Sequence, residues 1–392
     1  MARKGQSLVS NKKTTFPYDF FEQFANLMNQ TASQQAAWWK QAGLSAQYKN
    51  QYEEFLKESG ARTQDFMDGI KLYQQLDFKR TVKNPPVIWA MGSSKVLDYS
   101  QTQAWDAPVL FVVPSLINRA YVLDLSEKSS FLRQLAQAGI RPFLLDWGEL
   151  SDAEREFSME DYINRYLLPA MDHVSAFTRR PISVMGYCMG GMLAMAATVF
   201  RPETEKLILL ASPWDFHEGQ EWLIPWLYAS SAYLNTMIDQ SAELPVEVIQ
   251  YMFAMLNPVG VIRKFRELPQ FADNLEKLQE FASVEDWLND CTPVAPKAAK
   301  ELLFDWYRDN KPKLGQWKVN NRVVDPKDIH QETLVIIPQK DKIVSPKSAV
   351  MLTKNLPLSH MIQPDTGHIG AIIGKNAGPE VMQPIVNFLK EQ

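Results

Sequence analysis

The chain has 392 residues, 46% apolar and 22% charged, with a formal net charge of −4. That is ordinary globular composition, long enough for one large domain or two. The charge leaves no nucleic-acid footprint, and no apolar run of about 18 residues exists to cross a membrane.

The opening residues, Met1 to Gln6, are basic but lack an apolar stretch, so no secretory signal is expected. Two cysteines in the whole chain argue for a reducing, cytoplasmic setting. Residues 1–15 read as polar and disordered. From Phe16 the pattern turns helical, with Phe20, Phe21, Phe24, Leu27 and Met28 on one face. Trp38, Trp39, Leu44, Tyr52, Phe55 and Leu56 continue it. Gly60-Ala61 should break the run before Phe66, Ile70 and Tyr73 resume it. These two or three amphipathic helices over 16–78 either pack on the main domain or dock a partner. Asn84-Pro85-Pro86 marks a boundary, so an N-terminal helical region over 1–85 precedes a catalytic domain over 86–392.

Val87-Ile88-Trp89, a Gly92-Ser93-Ser94 turn and Val96-Leu97 predict a hairpin. Strands follow at 109–113, 142–145, 182–185 and 207–210, separated by helices at 130–138 and 160–178. The alternation predicts an α/β fold with a mostly parallel sheet. The rhythm stops at Pro213, and residues from about 214 to 325 read as a helical cap insertion rich in Trp, Tyr and Met. It resumes with strands at 334–337 and 361–362 and a last helix from about 379 to 390.

One stretch organises the rest: Val184-Met185-Gly186-Tyr187-Cys188-Met189-Gly190-Gly191-Met192-Leu193. It reads strand, sharp turn, helix, with the pattern G-x-C-x-G. Such a turn lifts its central side chain to the top of a parallel sheet. The bland reading is a buried structural cysteine. A phosphate-binding loop is weaker, because the spacing is not G-x-G-x-x-G. Asp341 follows a strand end, and His368 sits in a Gly-flanked loop after the next strand. The order Cys188, Asp341, His368 suits nucleophile, acid and base of an α/β-hydrolase arrangement. His173, His217, His330 and His360 lack that context, and Cys291, in Asn289-Asp290-Cys291-Thr292-Pro293, reads as incidental. A cysteine nucleophile suits thioester exchange. The oxyanion donors should be the N–H of Met189 and one from the loop around Leu116.

These residues resemble the polyhydroxyalkanoate synthases over roughly residues 87–370. The likeness rests on the run from Pro114 to Leu125, on Leu145-Asp146-Trp147-Gly148, on Asp161-Tyr162-Ile163, on the Gly186–Gly191 box, on Lys340 to Pro346, and on Gly367-His368-Ile369. Phe304-Asp305-Trp306-Tyr307-Arg308-Asp309-Asn310-Lys311 looks like the short-subunit synthases, which work with a helical partner subunit. The resemblance implies a catalytic triad of Cys188, Asp341 and His368. It also implies acyl transfer from 3-hydroxyacyl-CoA to a growing polyester, at a polyester granule, by a homo-oligomer. No metal or resident cofactor is implied; the coenzyme A thioester is substrate. Two alternatives stay open: a thioesterase or depolymerase using water as acceptor, and a granule- or partner-binding protein with a vestigial triad.

Overall fold

The computed structural model describes residues 46–100 and 104–391, the side chains of 46–49 excepted. The segment 1–15 and the apolar positions Phe20, Phe21, Phe24, Leu27, Met28, Trp38, Trp39 and Leu44 lie outside the described residues. Among the described residues no helix is long and apolar enough to cross a membrane.

The larger of two compact units comprises Thr81–Val246 and Asp290–Gln392. Its sheet has eight strands: β1 (Val87–Met91), β2 (Ser94–Asp98), β3 (Val109–Val113), β4 (Arg141–Asp146), β5 (Ser183–Tyr187), β6 (Lys206–Leu210), β7 (Glu332–Ile336) and β8 (Ser359–Ile362). The spatial order is β1-β2-β4-β3-β5-β6-β7-β8. The hairpin expected at 87–97 is present, turning at Gly92 with a positive φ of 56°. β2 meets β4 antiparallel, and the remaining neighbours run parallel. Every residue of β3 and β5 is buried, which explains their near-continuous apolar character.

Local chemistry sets the helix ends. Ser130 caps Phe131–Gln137 by accepting from the Arg133 N–H at 3.1 Å. Ser158 and Asp161 form a capping box at the start of Met159–Tyr162. That helix continues through a π-helical turn, Ile163–Leu167, into Leu168–Thr178. Pro169 lacks an N–H for the regular ladder, and the wider turn lies just before it.

The six parallel strands β3, β4, β5, β6, β7 and β8 all end at one edge of the sheet. Loops at such an edge carry the reactive groups of open α/β sheets. At the margin of the unit Leu244 and Val294 exchange two backbone hydrogen bonds, at 2.8 and 3.3 Å.

Among the described residues, the second unit comprises 46–80 together with Glu247–Asn289. Its described part holds one 30-residue helix, Ala46–Gln75, and the helices Val246–Leu256, Pro258–Glu267 and Leu275–Asn289. The expected break at Gly60-Ala61 does not occur. A glycine inside a helix costs about 1 kcal/mol relative to alanine. Burial of Phe66, Ile70 and Tyr73, each 3% exposed or less, outweighs that at roughly 1.5–3 kcal/mol per side chain. They pack with Ala254, Phe265, Leu268, Leu278 and Ala282. Gly69 permits the close crossing, because a Cβ there would strike the Phe265 carbonyl. Tyr73 Oη donates to Asp286 at 2.7 Å.

This division differs from a single boundary near residue 85. The middle of the expected cap, 247–289, joins the N-terminal helix because their apolar faces cover each other. Residues 214–246 and 290–325 stay with the sheet.

Candidate active site

β5 runs two residues further than the sequence pattern suggested and delivers the chain to Cys188. There the backbone turns sharply, with φ 57° and ψ −131°. A side chain at positive φ costs on the order of 1–3 kcal/mol, so the surroundings must hold it. Cys188 N–H donates to the Leu210 carbonyl at 2.9 Å, and Gly191 N–H donates to the Cys188 carbonyl at 3.0 Å. The glycines answer a steric demand. A Cβ at Gly186 would enter the Gly191 backbone, and one at Gly190 would strike the Val113 and Pro114 carbonyls. The result is a half-buried thiol at the N-terminus of the helix Met189–Phe200. Met189 is the first residue of that helix, and the first N–H groups of a helix have no intrahelical acceptor.

Asp341 stands in the loop after β7, and His368 in the loop after β8. The two loops are laced together: Lys340 N–H donates to Thr366 O at 2.8 Å, and Gln339 N–H to Pro364 O at 3.0 Å. Asp341 Oδ1 accepts the N–H groups of Ile343 and Val344, at 2.8 and 2.9 Å. Its other oxygen is left for the imidazole, and Asp341 Oδ2 lies 2.6 Å from His368 Nδ1. Both residues are buried, at 5% and 7% exposure.

Burial by itself would lower the imidazole pKa. The negative charges of Asp341 and Cys188, with the hydrogen bond to Asp341, outweigh it and push His368 up to about 10. The structure therefore brings Cys188, Asp341 and His368 together. The other histidines stand elsewhere: His217 Nε2 lies 3.0 Å from Arg308 O, and His173 stacks on Phe177.

Sequence reasoning passed over two tyrosines at this site. Tyr187 lies against the imidazole, with ring centroids 5.0 Å apart, and its hydroxyl donates to His368 O at 3.2 Å. Burial, then the charges of Cys188 and Asp341, push its pKa well up, so the phenol stays neutral. Tyr307 is raised by the same causes and packs against Phe216 at 4.8 Å. Its signal was the motif Phe304 to Lys311, which had been read only as a family mark.

The loop after β3 is also shaped. Pro114 O accepts from Trp147 Nε1 at 3.1 Å, and Ser115 Oγ accepts from Ile117 N–H at 3.3 Å. Leu116 is buried between them. Cys291, expected to be incidental, is buried and forms a bridge with Asn118, whose Nδ2 lies 3.2 Å from its sulfur. Burial, then the neighbouring Asp290 carboxylate, push the Cys291 thiol up to about 12. It is a poor nucleophile beside Cys188.

The family profile of the alpha/beta hydrolase fold matches residues 108–375, and the chain belongs to that family. Within it, the chain is 27% identical over 354 residues to the poly(3-hydroxyalkanoate) polymerase subunit PhaC of Synechocystis sp., a match covering 87% of this chain and 94% of that one. It is likewise 27% identical over 344 residues to the PhaC subunit of Haloarcula marismortui, covering 82% of this chain and 70% of that one. The resemblance read from the motifs thus extends over most of the chain. A solved hydrolase from Pseudomonas aeruginosa aligns with a TM-score of 0.46 and 12% identity, over 76% of this chain and 94% of that one.

Proposed function

We propose that the protein is a polyhydroxyalkanoate synthase, an acyltransferase that moves the acyl group of (R)-3-hydroxyacyl-CoA onto a growing polyester through a Cys188 thioester. The observation that carries this reading is a cysteine, in place of serine, at the strained turn beside the His368–Asp341 pair. The likeness to polymerase subunits over most of the chain supports it.

In this reading His368 takes the proton of the Cys188 thiol, and the thiolate attacks the thioester carbonyl. The N–H groups of Met189 and Leu116 bind the oxyanion. Its collapse expels the coenzyme A thiolate, which takes the proton back from the imidazolium and leaves as free thiol. The 3-hydroxyl of the next substrate then gives its proton to His368 and attacks the acyl-Cys188 carbonyl. Collapse expels the Cys188 thiolate, which takes the proton back from the imidazolium. The chain, one unit longer, now ends in the incoming unit's coenzyme A thioester and re-acylates Cys188 in the next round, releasing that coenzyme A. Asp341 stabilises the imidazolium in both halves.

The relatives' designation as subunits supports a partner subunit here as well. Action at the granule surface, a homo-oligomeric state and a cytoplasmic setting belong to the same reading. The deciding experiment gives 3-hydroxybutyryl-CoA to the purified protein. Free thiol with insoluble polymer is expected. Free thiol with soluble hydroxy acid would mean water is the acceptor, and the polymerase reading would fail.

A further inference from the structure

Three structural facts bracket one peptide. On its N-terminal side the Pro114 carbonyl is held by Trp147 Nε1 at 3.1 Å. On its C-terminal side Thr292 Oγ1 lies 3.4 Å from the Leu116 carbonyl and 3.3 Å from the Ile117 carbonyl. The Thr292 N–H donates to Ile117 O at 3.2 Å, and the next pair along, Asn118 with Cys291, forms a bridge. The peptide between these anchors joins Ser115 to Leu116, and it carries the Leu116 N–H. Thr292 is only 7% exposed. Its hydroxyl therefore makes its hydrogen bonds to this loop rather than to solvent.

We propose that Thr292 is a positioning residue for acyl transfer, which sets the direction of the Leu116 N–H by holding the carbonyls that follow it. The inference rests on the acyl-transfer reading above and adds a residue to it from a distant part of the chain. Neither Thr292 nor its neighbours touch the reacting atoms. They act through the loop after β3. A backbone donor is useful only where the developing oxyanion will stand, and a shift of about 1 Å from it can cost on the order of a hundredfold in rate. A loop with carbonyls released on one side has that freedom.

The test separates chemistry that needs an oxyanion from chemistry that does not. Thr292→Val keeps the shape and removes the hydroxyl; Thr292→Ser keeps the hydroxyl. Each full-length variant is given 3-hydroxybutyryl-CoA, and separately iodoacetamide, with modification of Cys188 followed by peptide mass. Iodoacetamide forms a carbon–sulfur bond at a saturated carbon and releases iodide, so no oxyanion arises. The expected result is acylation slowed roughly ten- to a hundredfold in Thr292→Val. Alkylation should match the unaltered protein, and Thr292→Ser should recover most of the acylation. Unchanged acylation in Thr292→Val overturns the inference. So does an equal fall in acylation and alkylation, since that marks damage to the nucleophile or fold. If the unaltered protein is alkylated at Cys188 but never acylated, the acyl-transfer reading itself fails, and this inference falls with it.

Discussion

Asp341 Oδ2 and His368 Nδ1 lie 2.6 Å apart, both residues are buried, and the other carboxylate oxygen is already committed to two backbone N–H groups. The carboxylate cannot rotate without breaking those bonds, so it presents one oxygen to the imidazole at a fixed angle. Asp341→Asn would preserve an acceptor for Ile343 and Val344 while presenting an amide to the ring. The expected outcome is a chain that still folds but melts at a lower temperature at neutral pH, because the charge facing His368 is gone. A loss of turnover on the order of 10⁴-fold should accompany it, from the wrong imidazole tautomer. Steady-state thiol release measures the second quantity, and thermal unfolding the first.

The same pair gives a pH dependence of stability. His368 is raised from an ordinary 6.5 to about 10 in the folded chain. A group whose pKa rises on folding holds its proton more tightly in the native state. Its contribution is fully present below about 6.5 and is lost as pH rises through about 10. Urea unfolding at pH 6, 8 and 10 should show stability declining over that window. His368→Gln should flatten the decline, and a slope unchanged by that substitution would assign it to other groups.

Covalent labelling should fall on one of the two cysteines. Cys188 is half-buried at the turn, whereas Cys291 is buried with its thiol pushed up to about 12. Thiolate, not thiol, is the nucleophile. Acylation by radiolabelled 3-hydroxybutyryl-CoA should vanish in Cys188→Ala and persist in Cys291→Ala. Label retained on Cys188→Ala would send the assignment elsewhere.

In the second unit Phe265 is fully buried, edge-on to Phe66, Tyr73 and Phe281. Phe265→Ala should cost about 3–5 kcal/mol of local stability. Limited proteolysis should then cut within the Ala46–Gln75 helix or residues 247–289 before it cuts the sheet. The same packing bears on the choice left open for the N-terminal helices, because the described one covers residues of 247–289. A chain starting at residue 79 would expose Phe265, Leu268 and Leu278, and it should aggregate where the full chain stays monodisperse by light scattering.

The sheet was legible because its strands are short apolar runs bounded by turn residues, and periodicity reports that directly. The turn at Cys188 was legible from its glycines, each of which answers a contact that a Cβ would violate. Asp341 and His368 could be picked out from their places after strand ends. Tyr187 and Thr292 could not. A tyrosine inside a buried strand looks like core, and a threonine after a run of Asn and Asp looks like loop; only folding shows what each hydroxyl meets. The helix through Gly60 was misread for a related reason. A glycine lowers local propensity, but the partner surface that overrides it comes from residues about two hundred positions away in sequence.

Leu244 and Val294 pair through their backbones, so the chain departs from the catalytic unit and returns to it at nearly one point. A segment attached in that way behaves as a closed loop on a clasp. Its length is free to vary, since loop closure costs only about 0.6 kcal/mol for each doubling. Length changes in homologues should therefore fall in the turns between the helices of 247–289 rather than at Thr292 or along the sheet. A chimera that exchanges residues 247–289 would have to bring the matching partner of the Ala46–Gln75 helix with it and leave Thr292 in place.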